Sequence, residues 1–178
     1  AGHQCVAKAE INSDIGSYPQ DFVDLGDVNG DGLGDFGVTG AMTSTGKGFL
    51  HVYLGTAGGP DMTNPDIFVM NADGASSGQY FSACAAGHFT GELNGALKVS
   101  SIGMGEPGAD AVRVIPGNTS WTAGQGATSP VIIDLDSPTD LATHNVFSFT
   151  HVGGTSFGFK CQSAGDVLDT PGGESTPT

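Results

Sequence analysis

The stretch Asp27-Val28-Asn29-Gly30-Asp31-Gly32-Leu33-Gly34-Asp35 decides how the chain is read. It sets Asp, Asn, Asp and Asp at the first, third, fifth and ninth places of a glycine-rich turn. Calcium is a hard cation that takes roughly six to eight oxygen ligands, and odd spacing on a tightly turning backbone aims alternate side chains at one centre. Asp27, Asn29, Asp31 and Asp35 offer side-chain oxygen, Leu33 offers its carbonyl, and Gly32 permits the sharp bend between them. Without a metal the same residues would still make an Asx-rich turn, for which the NG and DG dipeptides suffice.

The residues after the loop narrow the choice. An EF-hand needs Glu at the twelfth place and flanking helices, whereas here that place is Val38, inside the strand-like run DFGVTG. A dockerin-like loop fails for the same lack of a helix and a late acid. The expectation is a calcium site between the first two strands of a β-unit, with Asp27, Asn29, Asp31, Leu33 and Asp35 as ligands.

Composition sets the wider frame. The 178 residues suffice for one domain with a real core or for a few repeat units leaning on one another. Nineteen acidic against five basic residues give a net charge of -14, which repels phosphate backbones and anionic lipid. Nucleic acid and membrane insertion are therefore excluded as expectations. Thirty glycines, with Pro, Ser, Thr and Asn, punctuate short runs such as FLHVYLG, AVRVIPG and PVIIDLD, a rhythm of strands and turns. No run is long and apolar enough for a transmembrane helix. Cys5, Cys84 and Cys161 allow one disulfide and a leftover thiol, or a bond to another chain. Asn118-Thr119-Ser120 is a glycosylation sequon. Together these suggest a secreted or cell-surface protein.

The acidic loop has counterparts further along. DLGDVNGDG aligns with AAGHFTGEL and SAGDVLDTP, with Gly26, Gly87 and Gly165 in register. Around each lie a first strand, a turn, a short strand ending in glycine, a β-rich run closing on glycine (GFLHVYLG; DAVRVIPG), and a polar stretch leading to an outer strand (NPDIFVMN; HNVFSFTH). Four strands per unit is the antiparallel blade pattern. With Phe157-Gly158, Gly105-Glu106-Pro107, Gly40-Ala41-Met42 and SAGDV at 163–167, the chain resembles the FG-GAP repeat of integrin alpha-type β-propellers. The resemblance implies an all-β fold of four-stranded antiparallel propeller-blade-like units. The expected organisation is a closing strand of a preceding blade at 1–17, a unit with the calcium loop at 18–78, a second with a degenerate loop at 79–156, and the start of a third at 157–178. In the second loop His88, Thr90, Glu92 and Ala96 occupy the ligand places, and in the third Asp166 and Glu174 persist; neither is expected to hold metal.

No catalytic signature stands out. There is no CxxC and no phosphate loop in a strand-to-helix context, and His51, His88, His144 and His151 read as packing or surface residues. Phe22, Phe81, Phe157 and Phe159 read as core, while Trp121 suits either a sugar-stacking position or a blade-edge plug. Cys84 and Cys161 are offset by one place in their strands and so are expected to face different ways, and a disulfide between them is possible only if neighbouring blades bring them close. Propellers need about four to eight blades, so these units are too few for a closed ring in one chain. The leading expectation is a non-enzymatic calcium-binding structural protein that self-associates into a filament or surface layer. The alternative is an adhesion or lectin-like module with a glycan or extracellular protein partner.

Overall fold

The structure, a computed structural model, describes residues 17–42, 47–71, 82–89, 93–94, 97–152, 157–158 and 160–162. Cys5, the expected closing strand over residues 1–16, and the third acidic loop lie outside the described residues, as do Thr90, Glu92 and Ala96 of the second. The chain is all-β, with two antiparallel-rich sheets of blade-like units and, among the described residues, no closed barrel.

In the first sheet, β1 (Ser17–Gly26), β2 (Asp35–Met42), β3 (Gly48–Tyr53) and β4 (Ile67–Met70) form an antiparallel meander. In the second, β5 (Ser82–Ala85) pairs with β8 (Ile102–Glu106), β8 with β9 (Ala111–Ile115), and β9 with β11 (Phe147–Thr150), all antiparallel. Between β5 and β8, β6 (Leu93–Asn94) and β7 (Leu97–Lys98) pair with each other and, among the described residues, with no other strand.

The strand β10 (Val131–Asp134) departs from the simple repeat. It leaves the second sheet after β9 and pairs in parallel with β4 at the edge of the first. Val131 N–H donates to Asp66 O and Leu135 N–H to Met70 O, extending the ladder at both ends. The chain then returns through the short helix α1 (Pro138–Thr143), capped by Ser137 Oγ accepting from Asp140 N–H at 3.2 Å, to β11. A segment read from sequence as part of the second unit thus completes the sheet of the first.

Burial follows from strand alternation. All six residues of β3 are buried, as suits a central strand covered on both faces. Leu50 and Val52 point with Leu25, Ile67, Val69 and Ile133 toward Ala83, Ile102, Met104 and Ile115 of the second sheet, forming one continuous core. Trp121, 5% exposed, joins that core and is a plug rather than a sugar platform. Glu106 links the sheets by a polar contact: its carboxylate accepts from Asn71 Nδ2 of the first sheet and pairs with Arg113 Nε at 3.1 Å. It is fully buried, so both partners are needed to offset its desolvation.

Two expectations are corrected. Phe22 is 61% exposed because an irregularity between Pro19 and Asp21 places it in the row of Val38 and His51, on the face away from the shared core; Phe157 is exposed too. Cys84 and Cys161, expected to face apart, form a disulfide across 77 residues with Cα atoms 5.5 Å apart. The parity argument assumed a strand around Cys161. Instead Phe157 and Gly158 make a turn and Lys160–Gln162 carry no strand, so residue parity has no hold there. Gly103 makes the crossing possible, since a Cβ there would lie 2.9 Å from both sulfurs. Phe81 and the side chain of Phe159 lie outside the described residues.

On the face away from the core, His51 lies between Phe49 and Phe68, with ring centroids 4.4 and 4.7 Å away. Burial pushes its imidazole down from the usual 6.5 to about 4. The unfolded chain therefore binds a proton near pH 6.5 that the folded chain refuses until about 4. Stability is full above the higher value and falls as pH drops through this window, by about 3 kcal/mol at its lower end. Thermal melts at pH 7 and 4.5 should show a smaller acid loss for His51→Phe than for the parent chain.

Candidate metal centre

The loop between β1 and β2 is built by three acids that fold the backbone around themselves. Asp27 Oδ1 accepts from Gly30 N–H at 2.6 Å and Asp31 N–H at 3.1 Å, and Oδ2 from Gly32 N–H at 2.8 Å. Asn29 Oδ1 accepts from Asp31 N–H, and Asp31 Oδ1 from Leu33 N–H at 2.8 Å. Gly30 and Gly32, with φ of 75° and 88°, take the left-handed turns that side chains resist. These are Asx-type contacts; Asp27 Oδ1 accepts from two amides, while Asp27 Oδ2 and Asp31 Oδ1 each accept from one.

Asp35 opens β2 and is 1% exposed. Its Oδ2 accepts from Val28 N–H and its Oδ1 from Gly55 N–H, both at 2.7 Å, so one carboxylate ties the loop's start to the segment after β3. Burial, offset in part by those two amides and reinforced by the charges of Asp27 and Asp31, pushes its carboxyl up to about 6. A buried carboxylate beside two more acids is a setting that a divalent cation would relieve.

The loop is held as well from the connections that lead into β8 and out of β9. Ser100 N–H donates to Asp27 O at 2.7 Å and Asn118 N–H to Val28 O at 2.9 Å, while Asn29 Nδ2 reaches Trp121 O at 3.4 Å. Val28 itself belongs to the shared core. The acidic loop is thus a joint between the two sheets as well as a turn within one. Sequence reasoning missed Ser100, Asn118 and Trp121 as its supports, because no local spacing points to partners so far along the chain.

All five sequence-predicted ligands, Asp27, Asn29, Asp31, Leu33 and Asp35, fall in this one loop, and their donors are oxygens throughout. That set fits calcium by its chemistry: hard oxygens, three carboxylates and no sulfur or imidazole. Within the second loop's described part, His88 Nδ1 lies 3.1 Å from Val99 O. Asn118 of the sequon is exposed in a turn, its Oδ1 accepting from Ser120 N–H at 2.9 Å. Of the remaining histidines, His144 is half-buried and His151 exposed. No family model matches this chain, and no curated protein matches it.

Because Asp35 supplies acceptors for two amides, its removal should cost stability even in a chelating buffer. Asp35→Ala is expected to lose about 2 kcal/mol in urea denaturation without calcium, the cost of orphaned N–H groups less the relief of a buried charge. Asp31→Ala, at an exposed position, should lose under about 0.5 kcal/mol under the same conditions.

Proposed function

We propose that the chain is a non-enzymatic, calcium-binding extracellular structural protein whose FG-GAP-like β-units associate with other copies into a fibre or surface layer. The observation that carries this reading is the acidic loop at the joint of the two sheets, with Asp35 buried against Asp27 and Asp31. A cation held there would stiffen both sheets together, and mass action would fill such a site where calcium is plentiful, as outside cells. The Cys84–Cys161 disulfide supports the same compartment, since such bonds persist in oxidising surroundings.

Self-association is supported by the sheet edges. Among the described residues β11 pairs only with β9, and β1 only with β2. Every residue of β11 is exposed, including Phe147 and Phe149. An apolar edge of this kind accepts a further strand, while the net charge of -14 opposes approach until cations reduce it.

An adhesion or lectin-like module is the second reading, favoured by a polar cavity of about 340 Å³ beside the sequon, lined by Asn118, Thr119, Thr143, His144 and Asn145 over the edge of Trp121. Electron microscopy in millimolar calcium and after chelation separates the two. Filaments that fray on chelation, with a melting temperature several degrees higher in calcium, are expected for the structural protein. Discrete particles in both conditions would remove that reading in favour of the binding module, and an unchanged melting temperature would remove calcium.

A further inference from the structure

Among the described residues, β1 and β10 end the first sheet, and β5 and β11 end the second. Three of these edges are ill suited to meeting another copy of a chain whose net charge is -14. β1 carries Asp21 and Asp24, and β10 ends on Asp134 with Asp136 close behind. β5 lies against β1 and is bridged to Cys161 by the disulfide. β11 differs on each count. From Asn145 to Val152 the chain has no Asp, Glu, Lys or Arg, and all four residues of the strand are exposed. Among the described residues no strand pairs with its outer side, so its outward N–H and C=O groups are open to a further ladder.

The side chains of β11 suit a like strand. The register Phe147↔Val114 and Phe149↔Val112 puts both rings on the face of the second sheet away from the shared core. Phe89 meets both edge-on, with centroids at 5.4 and 6.2 Å, so the cluster is already formed within one copy. The three rings are between 37% and 48% exposed, and covering them removes apolar surface from water without stripping water from a charge. On the other face Ser148 Oγ accepts from Arg113 Nη1, and the Arg113 charge is met by Glu106.

We propose that β11 pairs antiparallel with β11 of a second copy about a two-fold axis through Ser148, joining two second sheets into one continuous sheet. This pairing rests on the self-association put forward above and supplies one of its contacts. A two-fold contact sets identical patches against each other, so an uncharged seam meets an uncharged seam. Either edge of the first sheet would instead bring carboxylates to it. With Ser148 on the axis, Phe147 lies opposite Phe149 of the second copy and Phe149 opposite its Phe147, giving two aromatic pairs on one face. An axis through Phe149 would keep one such pair and set Phe147 against His151. The contact is short, so its Kd should be about 10 to 100 μM.

Sedimentation velocity on the full chain, in millimolar calcium and about 0.15 M salt to screen the net charge, tests the pairing with Phe149→Glu and Phe149→Lys. Both changes fall on an exposed ring, and circular dichroism checks that each variant folds. Across the axis the two copies' side chains at 149 are diagonal neighbours, within reach of long side chains. Like charges there should hold each variant monomeric where the parent associates, a loss of at least about tenfold in affinity. Mixing the two variants in equal amounts sets opposite charges together and should recover the dimer. A variant that associates as the parent does would overturn the pairing and leave the fibre reading standing on other contacts. Monomers that persist in the mixture would overturn it too, showing that β11 takes an unlike strand. A parent chain monomeric at every concentration would remove both the pairing and the self-association.

Discussion

A carboxylate held out of water between two backbone amides is the constraint on which the rest of this chain depends. Asp35 bridges Val28 N–H and Gly55 N–H at 2.7 Å each, fixing where β2 begins relative to the end of β1 and the end of β3. Burying that charge is unfavourable by itself, as its raised pKa of about 6 records. What offsets it in part is the pair of amides that donate to it, Val28 N–H from the loop and Gly55 N–H from the segment after β3. A cation bound among Asp27, Asn29, Asp31 and Asp35 would act on a framework already shaped by these amides rather than organise a disordered loop, which lowers the ordering cost of binding.

The joint couples the sheets through a mixture of forces. Apolar contact between Leu50, Val69 and Ile133 on one side and Ile102, Met104 and Ile115 on the other supplies most of the adhesion, since it removes large side chains from water. Directional contacts fix the register: Ser100 and Asn118 amides on the loop, and Glu106 between Asn71 and Arg113 at the opposite edge of the shared face. The exchange of β10 into the first sheet adds backbone ladder to the same joint. The two sheets therefore share one core and one set of directional contacts.

Sequence exposed those features whose cause is local. Odd spacing of acids, glycine at Gly30 and Gly32, and a strand-like run after Asp35 place the loop between two strands without reference to anything distant. Four strands per unit followed from turn residues at regular intervals. What sequence concealed was set by partners far along the chain. The run VIID has the same alternation whether it pairs beside β9 or beside β4, so its membership of the first sheet was invisible. Phe22 reads as core until one extra residue in β1 turns it to the other face. Cys84 and Cys161 meet because Gly103 leaves room between them, a fact of packing that no spacing rule contains. Trp121 likewise has no local signal that chooses core over surface.

The account stands or falls on whether the acidic loop joins the sheets rather than merely closing a hairpin. Amide hydrogen exchange on the native chain, with Asp35→Ala compared with the parent in the presence of chelator, measures this residue by residue. Loss of protection at Ser100 and Asn118, which donate to the loop from the connections that lead into β8 and out of β9, together with Val28 and Gly55, is the predicted result. Loss confined to Val28 and Gly55, with Ser100 and Asn118 as protected as before, would contradict it.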